Sequence, residues 1–290
     1  MLRNDTTASR IFDVCNYIFL VLYGVLCILP FLYVVGASFA DSAEIISRSI
    51  FLVPHNPTTD AYKYVFSSPT LPRSMLVSVY VTLVGTLTSM LFTLTMAYAV
   101  SKKHLVGRNV ILNFVAFTMV FSGGMIPTFL VVKALGLLDS FAALILPAAI
   151  NTFNLIVVKN FFQQLPQELE EASKIDGCND MTIFFRIALP LSMPVIATFT
   201  LMYAVGYWND YFHSLIYLND MRKWPLQLIL RQIVAYSQGR IEGADYELAP
   251  PPAQSIKMAV IVFSTVPILL VYPFLQKHFA KGVLLGSVKG

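Results

Sequence analysis

Tyr203, Tyr207, Asp210, Tyr211 and Ser214 recur at helical spacing, so one face of a single helix would carry all five. The stretch around them is strongly apolar. An acid inside such a stretch is expensive to desolvate and marks a functional position by default. Aromatic rings beside hydrogen-bonding groups, with Asn209 adjacent, suit a sugar, because its C–H faces stack on rings while its hydroxyls need donors and acceptors. Two other readings fit the same residues. Asp210 lies roughly 28 Å along a helix that starts at Leu191, near the far interface, where an aromatic belt and a solvated acid are ordinary. Alternatively, Asp210 is the proton or sodium site of an ion-coupled carrier.

Other chemistry is poorly supplied. The sequence contains no G-x-x-x-x-G-K-[ST], the phosphate-cradling loop of nucleotide hydrolases. His55, His104, His213 and His278 are scattered without metal-ligand spacing. Cys15, Cys27 and Cys178 read as small apolar fillers rather than a disulfide framework or a metal site. No serine or cysteine nucleophile motif is present. The chain is therefore expected to be no enzyme, with neither a metal nor a cofactor of its own.

The elements that would position these residues belong in a membrane. Apolar residues make up 57% of the chain and charged residues 12%, with a mean hydropathy of +0.69. A soluble domain of this size needs more surface charge. The net charge of +4 is too small to suggest a nucleic-acid partner. Six stretches are apolar and long enough to be read as spans: 17–40, 75–100, 110–132, 141–158, 191–218 and 258–275. The first is too long for the core of a cleaved signal, and the arm before it carries Asp5 and Asp13. Small residues line the second (Thr82, Gly85, Thr86, Ser89, Thr93), which allows close helix approach. Ser122-Gly123-Gly124 and Pro127 interrupt the third, and Pro147, Asn151 and Asn154 fall in the fourth. The polar connections 41–74 and 219–257 are read as mainly irregular, with a short amphipathic surface helix over Pro225–Ala235. The expected fold is thus an all-α integral membrane protein of one domain, 1–290, with both termini on one side. Eleven of the 20 Lys and Arg residues fall on that side, a small positive-inside excess.

Between the fourth and fifth spans lies a polar loop, 162–190, which contains EASKIDGCNDMTIFFRIALP at 171–190. Glu171, Ala172 and Ile175 fall on a helical repeat. Gly177 sits where that helix would end, since glycine takes the left-handed conformation without a Cβ clash. Met181, Phe184, Phe185 and Ala188 mark a second short amphipathic run. Two short helices broken at a glycine make a knob with an unpartnered apolar face, which is a docking element.

Glu171, Ala172, Asp176, Gly177, Ile187, Leu189 and Pro190 match, without gaps, the EAA loop of ABC-transporter permease subunits. The chain resembles the carbohydrate-importer branch of that family, on the side of the maltose-type second permease. Ser173 and Cys178 depart from the pattern, but both are small. The resemblance implies a bacterial plasma-membrane permease with its loop and both termini in the cytosol. It implies oligosaccharide import by alternating access, driven by a separate ATPase dimer that binds ATP and magnesium. Glu171, Ala172, Ser173, Asp176 and Gly177 would form the coupling helix. The Trp208–Tyr211 stretch resembles one that lines the sugar path, and Gly286, Ser287, Val288, Lys289 and Gly290 resemble a tail ending that reaches the ATPase. A second, similar permease (a heterodimer) and an external solute-binding protein touching 219–257 complete the implied assembly. A permease for a non-sugar solute and a membrane scaffold are the remaining alternatives.

Overall fold

The structure, a computed structural model, describes residues 7–48, 51–237 and 254–287. The described residues are mostly helical and hold no strand; an isolated bridge joins Ala40 to Pro57. In chain order the elements begin with α1 (Thr7–Ser38), α2 (Ser42–Ser47), α3 (Asp60–Ser67) and α4 (Thr70–Ser101). Then come α5 (Arg108–Val120), α6 (Met125–Ala134), α7 (Ala142–Ile145), α8 (Thr152–Gln163), α9 (Gln167–Ile175) and α10 (Asp180–Ile183). A π-helical turn (Phe184–Ala188) leads into α11 (Leu189–Leu191), α12 (Met193–Asn209) and α13 (Phe212–Tyr217). A 3₁₀ turn (Met221–Lys223), α14 (Leu226–Ser237) and α15 (Gln254–Ser287) follow.

Among the described residues, three helices are individually long and apolar enough to cross a hydrocarbon core: Ser9–Ser38, Thr70–Ser101 and Gln254–Val271. The pair Asp180–Leu191 and Met193–Asn209, bent by 83°, is a fourth candidate. Several predicted stretches are not single helices. The third divides where α5 ends at an extended Phe121 and Gly124 takes φ 87°, a conformation that favours glycine. The fourth divides between α7 and α8, and Asn151 caps the second piece by accepting the Asn154 N–H at 3.1 Å. The last predicted stretch behaves oppositely. One helix, α15, runs through Pro267 and Pro273 and on through Ser287, so most of the expected separate tail is helical.

The chain forms two compact units, Met1–Pro69 with Gln232–Val266 and Thr70–Arg231 with Pro267–Gly290. In the first, Ala37, Ala40 and Phe51 form a small core with Tyr33, Ile45 and Met258 packed on it. Phe66 meets Phe263 edge to face at 5.6 Å. Gly36 is required there, because a Cβ would lie 2.4 Å from the Leu52 carbonyl oxygen. In the second unit, Met90, Leu94 and Ala97 of α4 pack with Leu155, Val158 and Phe162 of α8. Phe184, Ala188, Phe199 and Tyr203 close that core. Side chains at helical spacing on α4 therefore face α8 and α12, with Ser74, Ser78, Ser89 and Thr93 buried among them. Most of α1 is apolar yet exposed, with Phe12, Phe19 and Leu22 each more than 60% accessible. Such a surface fits lipid or another apolar partner rather than water.

Candidate functional site: a hinged knob and a tyrosine seam

The knob is built by its turn. The Cys178 N–H donates to the Ser173 carbonyl at 2.9 Å and the Gly177 N–H to the Lys174 carbonyl at 3.1 Å, with Gly177 at φ 81°. This is a Schellman ending, which satisfies the last carbonyls of α9 and needs a left-handed residue at Gly177. Asn179 then caps α10, its Oδ1 accepting from the Thr182 N–H and hydroxyl, each at 2.8 Å. A helix stop and a helix start, two residues apart, thus set the angle between α9 and α10.

Burial divides the predicted coupling residues. Glu171, Ala172, Asp176 and Gly177 face outward, whereas Ser173 is buried and donates to the Leu169 carbonyl at 2.6 Å. Ile175 at 87% accessible, with Met181 and Phe185, gives the knob an exposed apolar surface. On its inner side Ile183, Phe184 and Ala188 join the core.

Charge fastens the knob to the end of α4. Glu170 accepts from Lys102, and from Lys174 at 3.1 Å, while the Lys102 ammonium also sits 4.2 Å from the Tyr98 ring centroid. Partial burial pushes the Glu170 carboxyl up, but the two lysines outweigh it and hold the group below the usual carboxylate range. Lys174 is raised by the same contact with Glu170. Tyr98, Lys102, Phe162 and Glu170 line a cavity of about 330 Å³ at this junction. Sequence reading gave Glu170 no part in the knob. Its i,i+4 spacing to Lys174 was visible, but Lys102, 68 residues away, carried no such signal.

The second constellation is a seam between α4 and α12. The Tyr203 hydroxyl lies 2.8 Å from Thr93 Oγ1 and accepts the Asn151 N–H at 3.0 Å. Tyr207 pairs with Ser89 Oγ at 2.8 Å and donates to the Ile145 carbonyl at 3.4 Å. These contacts serve the break between α7 and α8, where backbone groups would otherwise be unpaired in an apolar setting. Gly85 makes room, since a Cβ there would meet Tyr207 ring atoms at 2.8–2.9 Å.

The five residues predicted to share one helix face do not. Helix α12 stops at Asn209, Asp210 is extended (φ −75°, ψ 110°), and α13 starts only at Phe212. The structure brings Tyr203 and Tyr207 together in the seam and sets Asp210 and Tyr211 on a separate turn. Asp210 Oδ1 lies 2.8 Å from His213 Nδ1, which stabilises that turn. Asn209 donates to its own helix at Val205, and Ser214 is fully buried with no partner for Oγ among the described residues. Helix α14 exists as read but is not a free surface helix. Leu226, Leu228 and Ile229 are buried, and the Leu226 N–H donates to Ser78 Oγ at 2.8 Å. Of the predicted tail contacts, Gly286 and Ser287 close α15, and Val288, Lys289 and Gly290 lie outside the described residues.

One tie escaped sequence reading. Asp139, at φ 57°, accepts the N–H groups of Asn219 and Asp220 at 3.1 and 3.0 Å. Its other oxygen takes Lys223 at 2.6 Å, so the α6–α7 and post-α13 connections are clasped together. Hydrogen bonding by Lys223, then by Asp220, holds the Asp139 carboxyl below its usual range.

Long apolar helices, a helix break between α7 and α8 bridged by tyrosine hydroxyls, and a polar knob between α8 and α12 mark a membrane-embedded protein. The chain belongs to the family of binding-protein-dependent transport system inner membrane components, matched over residues 3–285. It is 62% identical over 288 residues to the protein LplC of Bacillus subtilis (strain 168), covering 99% of this chain and 98% of that one. It is 58% identical over 285 residues to the polygalacturonan/rhamnogalacturonan transport system permease protein YtcP of the same organism, covering 97% and 99%. Among solved structures, a bacterial ABC transporter involved in the import of the acidic polysaccharide alginate contains a chain 32% identical to this one. It superposes with a TM-score of 0.88, covering 96% of this chain and 99% of that one.

Proposed function

We propose that this chain is a permease subunit that carries oligosaccharides into a bacterial cell across its plasma membrane, by alternating access driven by a partner ATPase. The observation that carries this reading is likeness over nearly the whole chain to permeases named for polysaccharide transport. In this reading the apolar stretches form six spans, counting the broken helices α5–α6 and α7–α8 as one each, with both termini and the knob in the cytosol. The exposed residues Glu171, Ala172, Asp176 and Gly177 seat the knob in a cleft of the ATPase dimer, which supplies ATP and magnesium, and Ser173 fixes α9 from within. Residues 286–290 lie along the same ATPase. A second, homologous permease completes the pathway, and a solute-binding protein docks outside on 219–257.

The knob suits this role physically. Its angle is set by backbone hydrogen bonds, its outer surface is apolar, and its inner surface is continuous with the core of α4, α8 and α12. Force applied at the tip therefore reaches the spans without being absorbed by a flexible linker. Tyr203 and Tyr207 hold the seam, and Tyr211 and Asp210 are the residues left to meet solute.

Purification of the intact complex, followed by reconstitution in proteoliposomes, tests the reading. Uptake of oligosaccharide is expected only with ATP, the ATPase and the binding protein together. Uptake by this chain alone along an ion gradient, indifferent to ATP, would overturn it in favour of a carrier centred on Asp210.

A further inference from the structure

Where α12 breaks, one cation faces a ring and, among the described residues, no acid. Arg231 of α14 is exposed and, among the described residues, forms no ion pair. Its guanidinium carbon lies 5.4 Å from the centroid of the Tyr211 ring, within the distance at which a cation is held by a ring face. The nearest acid in sequence to Tyr211 is Asp210, and it is already engaged by the His213 ring at 2.8 Å. The platform beneath Arg231 is firm, because Leu226, Leu228 and Ile229 are buried and α14 is pinned to Ser78 of α4. Tyr211 stands on the turn between α12 and α13, its ring edge-on to Phe212 at 6.4 Å.

An exposed guanidinium with no carboxylate partner among the described residues is open to an anion that arrives with the solute. Guanidinium is the side chain best matched to a carboxylate, offering a planar fork of donors. A tyrosine ring beside it provides the apolar face on which a pyranose rests.

We propose that Tyr211 and Arg231 form a subsite for the carboxylate of a uronic-acid residue, which selects acidic over neutral oligosaccharides. The inference rests on the oligosaccharide reading above. It agrees with the chemistry of the neighbours: polygalacturonan is a polymer of uronic acids, and alginate is an acidic polysaccharide.

The test uses the complete complex in proteoliposomes. Uptake of trigalacturonate is compared with uptake of the same trisaccharide after reduction of its carboxyls to alcohols. Arg231→Gln is expected to raise the half-saturating concentration of the acidic sugar roughly tenfold or more and to leave that of the neutral sugar unchanged. Arg231→Lys should recover part of the loss, and Tyr211→Leu should impair both sugars. If Arg231→Gln weakens both sugars equally and also lowers stimulation of the ATPase by the binding protein, Arg231 contacts that protein and the subsite is refuted. No change with either sugar also refutes the subsite, while leaving the transport reading intact. A wild-type complex that moves neither sugar overturns the transport reading and the subsite with it.

Discussion

Gly177 is held by conformation and not by space. Among the described residues, nothing beyond its own chain neighbours lies within 4 Å of the position its Cβ would take, yet φ is 81°. A side chain there meets only backbone strain, about 1–2 kcal/mol for an ordinary residue and more for a β-branched one. Asparagine, which tolerates the left-handed region, should preserve the turn. Gly177→Val should leave an inserted, assembled protein whose ATP hydrolysis no longer drives uptake, whereas Gly177→Asn should retain coupling. Measured ratios of ATP consumed to sugar accumulated check this, and normal uptake by the valine variant would refute the hinge. Gly85 is the opposite case. Its backbone is ordinary, but Tyr207 fills the space and is pinned by Ser89. Gly85→Ala is expected to cost about 1–3 kcal/mol through overpacking, seen as a lower melting midpoint in detergent. Tyr207→Phe keeps the ring and should lose only about 1 kcal/mol. The need for glycine at 177 was legible from local order alone. That at Gly85 depended on which residue faced it, 122 positions later, which no local pattern reports.

At the scale of elements, the attachment of α9 to α4 has a defined pH range. Glu170 titrates below its ordinary value when folded. Its contribution is therefore present above the unfolded carboxylate pKa and is lost as pH falls through the lower, folded one. Lys174 is raised, so its share is present below the usual lysine range and is lost as pH climbs through the higher value. Between those limits Glu170→Gln should destabilise the protein by about 1 kcal/mol. The difference from wild type should shrink on acidification through the carboxylate range and stay constant across neutral pH. Melting midpoints of both proteins over that series measure it; a difference unchanged in acid would show that the carboxylate charge is not what fastens α9. The existence of α9, its end at Gly177 and the apolar run after it were all readable in sequence. The single face proposed for Tyr203 through Ser214 was not, because periodicity continues across a break and says nothing of where the backbone leaves the helix. Asp210 and Tyr211 keep their apolar neighbours in sequence while their backbone is extended or turned.

For the molecule as a whole, the sequence conveyed its class, helical and membrane-embedded, because composition and window length report solvent preference directly. It did not convey which apolar stretches are continuous. Glycine and proline interrupt α5–α6 and the segment before α8, yet Pro267 and Pro273 pass through α15 without a stop. At the break before α8 the Tyr203 hydroxyl takes up the Asn151 N–H, a partner that lies 52 residues away in sequence. The long first helix stands apart from all of these, with its central apolar window wholly unburied by the rest of the chain. A segment whose apolar window is not buried by later parts of the chain can leave the translocon as soon as it emerges from the ribosome. Truncated after residue 48, the nascent polypeptide should integrate into microsomes or inverted vesicles unaided and resist alkaline extraction. The short pieces α5 and α6, expressed alone, should wash off, since their residence in the bilayer depends on segments synthesised later.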